Sequence, residues 1–585
     1  MFLQNNMQAL SEQLPETFAW IQSSQVNVAA VMTRFFQNPT GHVDWRLDSG
    51  QGLHESIAPE RYYNQWIPEK GAWGGASVIV GSGVGYGINF LLQNTPDNHR
   101  ILIVEPRADM LVACLGQNQY EHFIRSGRLM LAPPQPSLIQ RLLDRFQTAY
   151  LFATINFRTD LNCTQLGPEY DRATRTLDAL INQMGVEFST RRKLQDTMVG
   201  NEIGNLPIAL TDNSLSSLRV DQCSMPVAII GAGPSLERHA STLRHIASKS
   251  LLVTGLQTLP ALQQLGIDPD ICVAIDPGEI MLRPARAAAD SDAAANIALI
   301  YSTKINPEVT KTWPGPRIAM WNQGGIGSGL FAEQTPLLDS GGNVAVTMLR
   351  LFIWAGYKKF ILIGQDLAWS GGQTHASGHH SSGAVEFNPR RHVRLRNQLG
   401  EELISDRALL AAKGHLESDI RAHPEIEIFN LFGGGVHIEG TQSVDAAQLA
   451  ALVETTETSN KCALWQNANT DSKSTLKTDL EPCANDIVQT MRPKLKQLKN
   501  QFGKAGRRQH EIRANLRDLS RQLQSHALYV PWIFNEIIDI NGLIQTRERF
   551  VPTDYETVVN IVDRIEKKLH DLDTALGAAL TQSAH

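Results

Sequence analysis

The sequence predicts an α/β protein of the doubly wound kind, and two observations carry that prediction. Three short apolar runs, 227–230, 251–255 and 271–275, are separated by helix-length stretches. Apolar runs of about four to eight residues bounded by Gly, Pro or Asp read as buried strands, and their alternation with helices reads as a parallel sheet. The first run also passes straight into Gly231-Ala232-Gly233-Pro234-Ser235-Leu236. A glycine turn between a first strand and a helix is where such sheets hold ligands.

That turn has a physical reading. Gly231 and Gly233 allow a tight bend and close backbone approach. Ser235 is expected to cap the following helix, with Glu237 and Arg238 in its first turn. A strand, a glycine turn and a helix start together make an anion site, which suggests the phosphate of a nucleotide. The third run ends on Asp276-Pro277. Two readings stay open there: a carboxylate for a sugar hydroxyl or base edge, or a turn-forming Asp before Pro.

At 585 residues the chain exceeds a single core and should form several domains. Its 42% hydrophobic and 19% charged content is that of a globular protein. A net charge of −6 gives no reason to expect nucleic-acid binding. No apolar run approaches the ~20 residues of a membrane span, and the first residues lack signal-peptide features. Cys114, Cys163, Cys223, Cys272, Cys462 and Cys483 are scattered without a C-x-x-C pair. That fits a reducing cytoplasm and argues against a structural zinc site.

Four segments follow in order. Residues 1–60 form an N-terminal helical segment. Residues 61–204 form a smaller Rossmann-like domain, opened by strand 77–80, the glycines Gly81, Gly83, Gly85 and Gly87, and strand 101–104 ending on Glu105. The pattern resembles a dinucleotide or S-adenosylmethionine turn. A structural reading is preferred, because no acceptor-site motif follows. Residues 110–200 read as helix-rich. The central domain is 205–445. It adds strands at 298–301, 317–321, 359–363 and 426–431, a glycine loop at 324–329 and a helix at 344–355. The stretch 455–481 reads as a linker inside 446–585, the C-terminal helical domain. There Ile487, Met491, Leu495, Leu498 and Phe502 form one apolar stripe.

The combination of Gly231–Leu236, Gly266–Asp270 with Asp276, Gly364-Gln365-Asp366-Leu367-Ala368 with Thr374-His375, and Asn430–Gly440 resembles the motility-associated factor (Maf) family of flagellin glycosyltransferases. The core is also similar to 6-hydroxymethylpterin diphosphokinases and, more distantly, to bacterial sialyltransferases. The resemblance implies a central Rossmann-like, sialyltransferase-like domain of GT-A type. It implies a cytoplasmic enzyme that moves a nonulosonic acid, of the pseudaminic or legionaminic kind, from its CMP ester to Ser or Thr hydroxyls of flagellin. On that likeness Gly231, Gly233, Pro234 and Ser235 hold CMP. Thr254, Gln257 and Asp276 touch ribose, cytosine or sugar, and Gly342 and Asn343 meet the donor at a helix start. The sialyltransferases carry Ser-Gly at that last place, where this chain has Gly-Asn.

A CMP–sugar bond breaks readily, but a Ser or Thr acceptor gains from a general base, worth about 10²–10⁴ in rate. Asp366 and His375 are the catalytic candidates. Asp366 is expected to shape its turn more than to take a proton, and His375 competes with the reading of a plain solvent-exposed loop histidine. His375, His379 and His380 do not match a familiar zinc spacing, and a divalent metal is left open. No tightly bound cofactor is expected; the partners are the CMP-sugar and flagellin. Two alternatives stand. One is a pyrophosphokinase placing Mg²⁺ on Asp270, Asp276 and Asp366; the other is a non-catalytic flagellin-binding factor. Gly233→Val and Asp276→Ala are expected to abolish CMP binding and spare the fold.

Overall fold

The computed structural model describes residues 2–54, 59–68, 72–220, 225–331, 338, 343–370, 372–389, 391–454, 461 and 483–583. All but Lys461 of the expected 455–481 linker lies outside these. The chain gathers into two compact units. One comprises 1–193, 486–525 and 534–566; the other comprises 194–485, 526–533 and 567–585.

The strands, in chain order, are β1 (Phe35–Gln37), β2 (Val43–Trp45), β3 (Ala76–Val80), β4 (Arg100–Val104), β5 (Leu129–Ala132), β6 (Ile155–Thr159), β7 (Asn213–Ser214), β8 (Val227–Ile230), β9 (Leu251–Gly255), β10 (Ile271–Ala274), β11 (Ala298–Ser302), β12 (Arg317–Met320), β13 (Lys359–Ile363), β14 (His392–Arg396), β15 (Glu402–Asp406), β16 (Glu427–Leu431) and β17 (Gln442–Val444).

The first unit holds a parallel sheet in the order β5-β4-β3-β6. Its central strands, β3 and β4, are buried apart from the half-buried Arg100, under helices such as Ala108–Gln117. Two of its strands, β5 and β6, interrupt the stretch read as helix-rich. β5 has only four residues, and β6 (Ile-Asn-Phe-Arg-Thr) is a half-buried edge strand, so neither shows a long apolar run. The β1–β2 pair within 1–60 likewise adds strand to a segment expected to be helical.

The glycine turn after β3 is filled by the protein itself. A methyl group on Gly81 would lie 2.8 Å from Cys163 Sγ, one on Gly85 2.3 Å from Asn118 Nδ2, and one on Gly87 2.5 Å from the Trp66 ring. Glu105, fully buried at the end of β4, accepts from Ser82 N (2.7 Å), Ser82 Oγ (2.9 Å), Arg107 N (3.0 Å) and Tyr170 Oη (2.5 Å). Burial pushes its carboxyl up to about 7, against those four donors. These glycines serve close packing.

The second unit holds a nine-stranded parallel sheet in the order β17-β16-β13-β8-β9-β10-β11-β12-β7. The chain builds outward from β8 to β12, then returns to β13 on the other flank of β8. β8 and β13 are therefore the switch point, and ligands in open α/β sheets bind beyond the strand ends at such a point. Val227, Ile229, Leu251, Val253 and Leu362 pack one face against the helix Val344–Trp354. Ala228, Ile230, Leu252 and Ile361 pack the other against the helix Ala240–Ile246. Burial on both faces explains why these strands read as continuous apolar runs. The glycine loop after β12 is also structural: Ile326 N donates to the buried Glu202 at 2.8 Å, and a methyl on Gly325 would meet that carboxylate.

Candidate functional site

Three strand-end loops meet at the switch point: Gly231–Ser235 after β8, Gly364–Asp366 after β13 and Gly433–Gly435 after β16. Gly231 N donates to Ile363 O (2.8 Å) and Gly233 N to Gly364 O (2.9 Å). Asp366, 4% exposed, accepts Ser235 Oγ on Oδ1 (2.5 Å) and Ser235 N on Oδ2 (2.8 Å). Burial raises its carboxyl above the ordinary range, and the two Ser235 bonds and the nearby Arg238 oppose that. Asp366 is thus pinned to the glycine turn. Next to it Leu367 sits at φ +48°, a left-handed conformation that costs a leucine about 1–3 kcal/mol. Its carbonyl accepts Ser405 Oγ at 2.8 Å.

This geometry corrects two sequence expectations. Ser235 does not cap a helix with its side chain; its hydroxyl serves Asp366, and a short 3₁₀ turn, Leu236–His239, follows. Gly233→Val should cost stability as well as any binding, because even its Cβ would lie 2.5 Å from Gly364 O and 2.6 Å from Asp366 Oδ2. The glycines of this turn are required where loops of the protein touch one another. The amides of Gly231, Gly233 and Ser235 are already engaged inside the chain.

The histidine loop is fastened to the same turn. Ala376 N donates to Ala232 O (2.9 Å), and Ser377 N donates to Glu237 Oε1 (2.8 Å). Hydrogen bonding from Ser377, its hydroxyl first and then this amide, holds the Glu237 carboxyl below its usual range. His375 and His379 stack with ring centres 4.1 Å apart, and His380 lies 4.4 Å from His379. His375 Nδ1 faces Ser381 O at 3.3 Å, which selects the tautomer with Nε2 as acceptor. Burial lowers its basicity, offset in part by that carbonyl and deepened by His380. His379 is pushed down to about 3 by burial and by both neighbours. Among the described residues, no group of three or more His, Cys, Asp or Glu side chains is arranged to hold a metal ion.

Around this loop lies a cleft of about 720 Å³, lined by His375 and Ser377 with Pro234, Glu237, Arg238, Glu401, Glu402 and Leu403. Arg238 is its cation, and its guanidinium also donates to Gly433 O. The remaining candidates stand at neighbouring strand ends. Thr254 is fully buried and its hydroxyl donates to Ile230 O (3.1 Å), joining β9 to β8. Gln257 follows β9 and reaches Met281 Sδ at 3.3 Å. Asp276, half-buried beyond β10, accepts Gly278 N on Oδ1 at 2.7 Å and so closes the Asp-Pro turn. Its charge also acts on His380. Asn343 caps the helix Val344–Trp354 by accepting Ala345 N at 2.9 Å. Gly342 lies outside the described residues. Asp270 precedes β10 and so sits at the opposite edge of the sheet, bonded to Leu252 N (2.7 Å) and Lys461 Nζ (2.9 Å).

Glu237, Arg238, Glu401, Glu402 and Leu403 were not singled out as site residues from sequence. Glu237 and Arg238 directly follow the glycine turn, which was a usable signal. Glu401, Glu402 and Leu403 reach the cleft only through the β14–β15 hairpin, which left no apolar run to find.

The sequence profile of the 6-hydroxymethylpterin diphosphokinase MptE-like family matches residues 201–372. No curated protein sequence matches. Among solved structures, the Maf glycosyltransferase from Magnetospirillum magneticum AMB-1 superposes with a TM-score of 0.61, covering 98% of this chain and 95% of that one at 17% identity. Over nearly its whole length, then, the chain has the fold of that Maf glycosyltransferase, with an MptE-like segment at its centre.

Proposed function

We propose that this protein is a glycosyltransferase that moves a nonulosonic acid from its CMP ester to Ser or Thr hydroxyls of flagellin. The observation that carries the reading is His375. It is held at the switch-point cleft in the tautomer that leaves Nε2 to accept a proton, with burial keeping the ring neutral at pH 7. A neutral imidazole beside an acceptor hydroxyl takes its proton as the sugar–phosphate bond breaks. The departing cytidylate is stabilised by Arg238, since the amides of Gly231, Gly233 and Ser235 are bonded within the chain. Gln257 after β9, Asp276 after β10 and Asn343 at its helix start border the donor. Asp366 acts by positioning Ser235. The whole-chain likeness to a Maf glycosyltransferase supports this choice of reaction.

A second reading, pyrophosphate transfer to a pterin-like alcohol, is favoured by the family match alone. Against it, Asp270 lies at the far edge of the sheet and Asp366 is bonded to Ser235. Thermal shift separates the two. A ligand at a hundred times its Kd stabilises by about 2.7 kcal/mol, so CMP or CTP should raise the melting temperature and ATP with Mg²⁺ should not. The reverse pattern refutes the transferase. Intact mass of flagellin from cells with and without the protein then tests the acceptor.

A further inference from the structure

The hairpin β14–β15 forms one wall of the cleft through Glu401, Glu402 and Leu403. Its register pairs Arg396 with Glu402, Leu395 with Leu403 and Arg394 with Ile404. Asn397 N donates to Glu401 O at 3.0 Å, which fixes the phase of the ladder. Bonded pairs recur every second residue, so Leu395 and Val393 point their amides inward, while His392, Arg394 and Arg396 point theirs away from β15. The other side of β15 confirms the phase. Trp369 N donates to Ile404 O (2.7 Å) and Ile404 N to Trp369 O (3.4 Å). Among the described residues, β15 is thus paired on both sides and β14 on one; His392 N is taken by Asn388 O (2.8 Å), which leaves the amides of Arg394 and Arg396 along the open edge.

Arg391, Arg394 and Arg396 are exposed on that edge, Arg394 being paired with Glu402 of β15 and lying 4.4 Å from the Phe387 ring, and no Asp or Glu occurs from 387 to 400, in a chain of net charge −6. Val393 is also exposed there, and Leu399 at the hairpin tip is 70% exposed.

We propose that the free edge of β14 takes an extended, acidic segment of the acceptor polypeptide by strand addition, alongside the cleft. This rests on the reading that the acceptor is a protein. Main-chain bonds to Arg394 and Arg396 supply affinity without demanding one sequence, and Arg391 and Arg396 select acidic neighbours of the modified hydroxyl. The competing account is that these arginines merely guard an open edge against aggregation.

Arg394→Pro and Arg394→Ala distinguish the two. Both lose the side chain and its pair with Glu402; only proline loses the outward amide, and an edge strand tolerates proline at such a position. Relative to Arg394→Ala, Arg394→Pro should raise the KM for flagellin about tenfold, with stabilisation by CMP unchanged. In the wild type, flagellin or an acidic Ser/Thr-rich peptide should slow hydrogen exchange at the Arg394 and Arg396 amides. Equal KM values in the two variants overturn strand addition and leave the transferase standing. If Arg394→Pro misfolds, unprotected 394 and 396 amides at saturating acceptor overturn it instead. Failure of the wild type to bind either probe removes both the docking site and the protein acceptor. Binding lost in Arg394→Pro without any CMP-dependent transfer supports the docking site and refutes the transferase. Tight binding of single-stranded DNA, equal in both variants, makes the edge a polyanion site and overturns strand addition.

Discussion

Removing the Asp366 carboxylate tests whether it is a brace or a base. Its two oxygens hold the hydroxyl and the amide of Ser235 in a fully enclosed setting. Asp366→Ala strands the Ser235 amide, and a buried unpaired donor with its lost charged bond costs about 3 kcal/mol. Ser235→Ala removes the hydroxyl bond alone, about 1 kcal/mol. In the double variant the hydroxyl has already lost its partner, so the total should stay near about 3 kcal/mol, a coupling of about 1 kcal/mol. Equilibrium urea unfolding of the four proteins measures this cycle. Strict additivity, within about 0.5 kcal/mol, would mean the brace does not exist. Transfer kinetics give a second check. Asp366→Asn should lower donor affinity and rate together. If CMP affinity is intact while transfer falls more than about 10³-fold, Asp366 is the base and His375 is not.

Three further outcomes follow from the geometry. His375→Ala should lose about 10²–10⁴ in transfer rate while stabilisation by CMP is unchanged; full activity excludes it as proton acceptor, and loss of CMP stabilisation would assign it to donor binding instead. Gly233→Ala forces a methyl against Gly364 O and should cost about 1–3 kcal/mol in thermal melts. Gly383→Ala, with open space around it, should stay within about 0.5 kcal/mol. Glu105, at about 7 when folded and near 4.5 when unfolded, holds its proton longer in the native state. The resulting stability is fully present below about pH 4.5 and is lost as pH rises to about 7, roughly 3 kcal/mol in all. Urea midpoints at pH 5 and pH 8 should show that slope, and Glu105→Gln should flatten it; identical slopes in both proteins would contradict the burial of the charge.

Elements buried on both faces were legible from their residues. Val227–Ile230, Leu251–Gly255 and Lys359–Ile363 announce themselves because both sides of the sheet are covered. Ile155–Thr159 and His392–Arg396 did not, because an edge or exposed strand carries Asn, Thr and Arg that read equally well as loop. The glycine turn was legible from sequence, but the contacts that require its glycines were not. Gly–Gly contact between Gly231 and Gly364 is a long-range fact: 133 positions separate them (364 − 231), and only the sheet order brings them together. Asp276 shows the same limit from the other side, since a carboxylate that closes its own turn and one that meets a ligand share the same Asp-Pro spelling.

The closed turn after β3 has a consequence for anyone labelling the molecule. With Cys163, Asn118 and Trp66 packed directly against the turn's glycines, a photoreactive cytidylate should leave peptides around Gly81–Gly87 unmarked. Enlarging a residue there would register as misfolding, so screens that score activity alone would mistake a keystone for a binding loop.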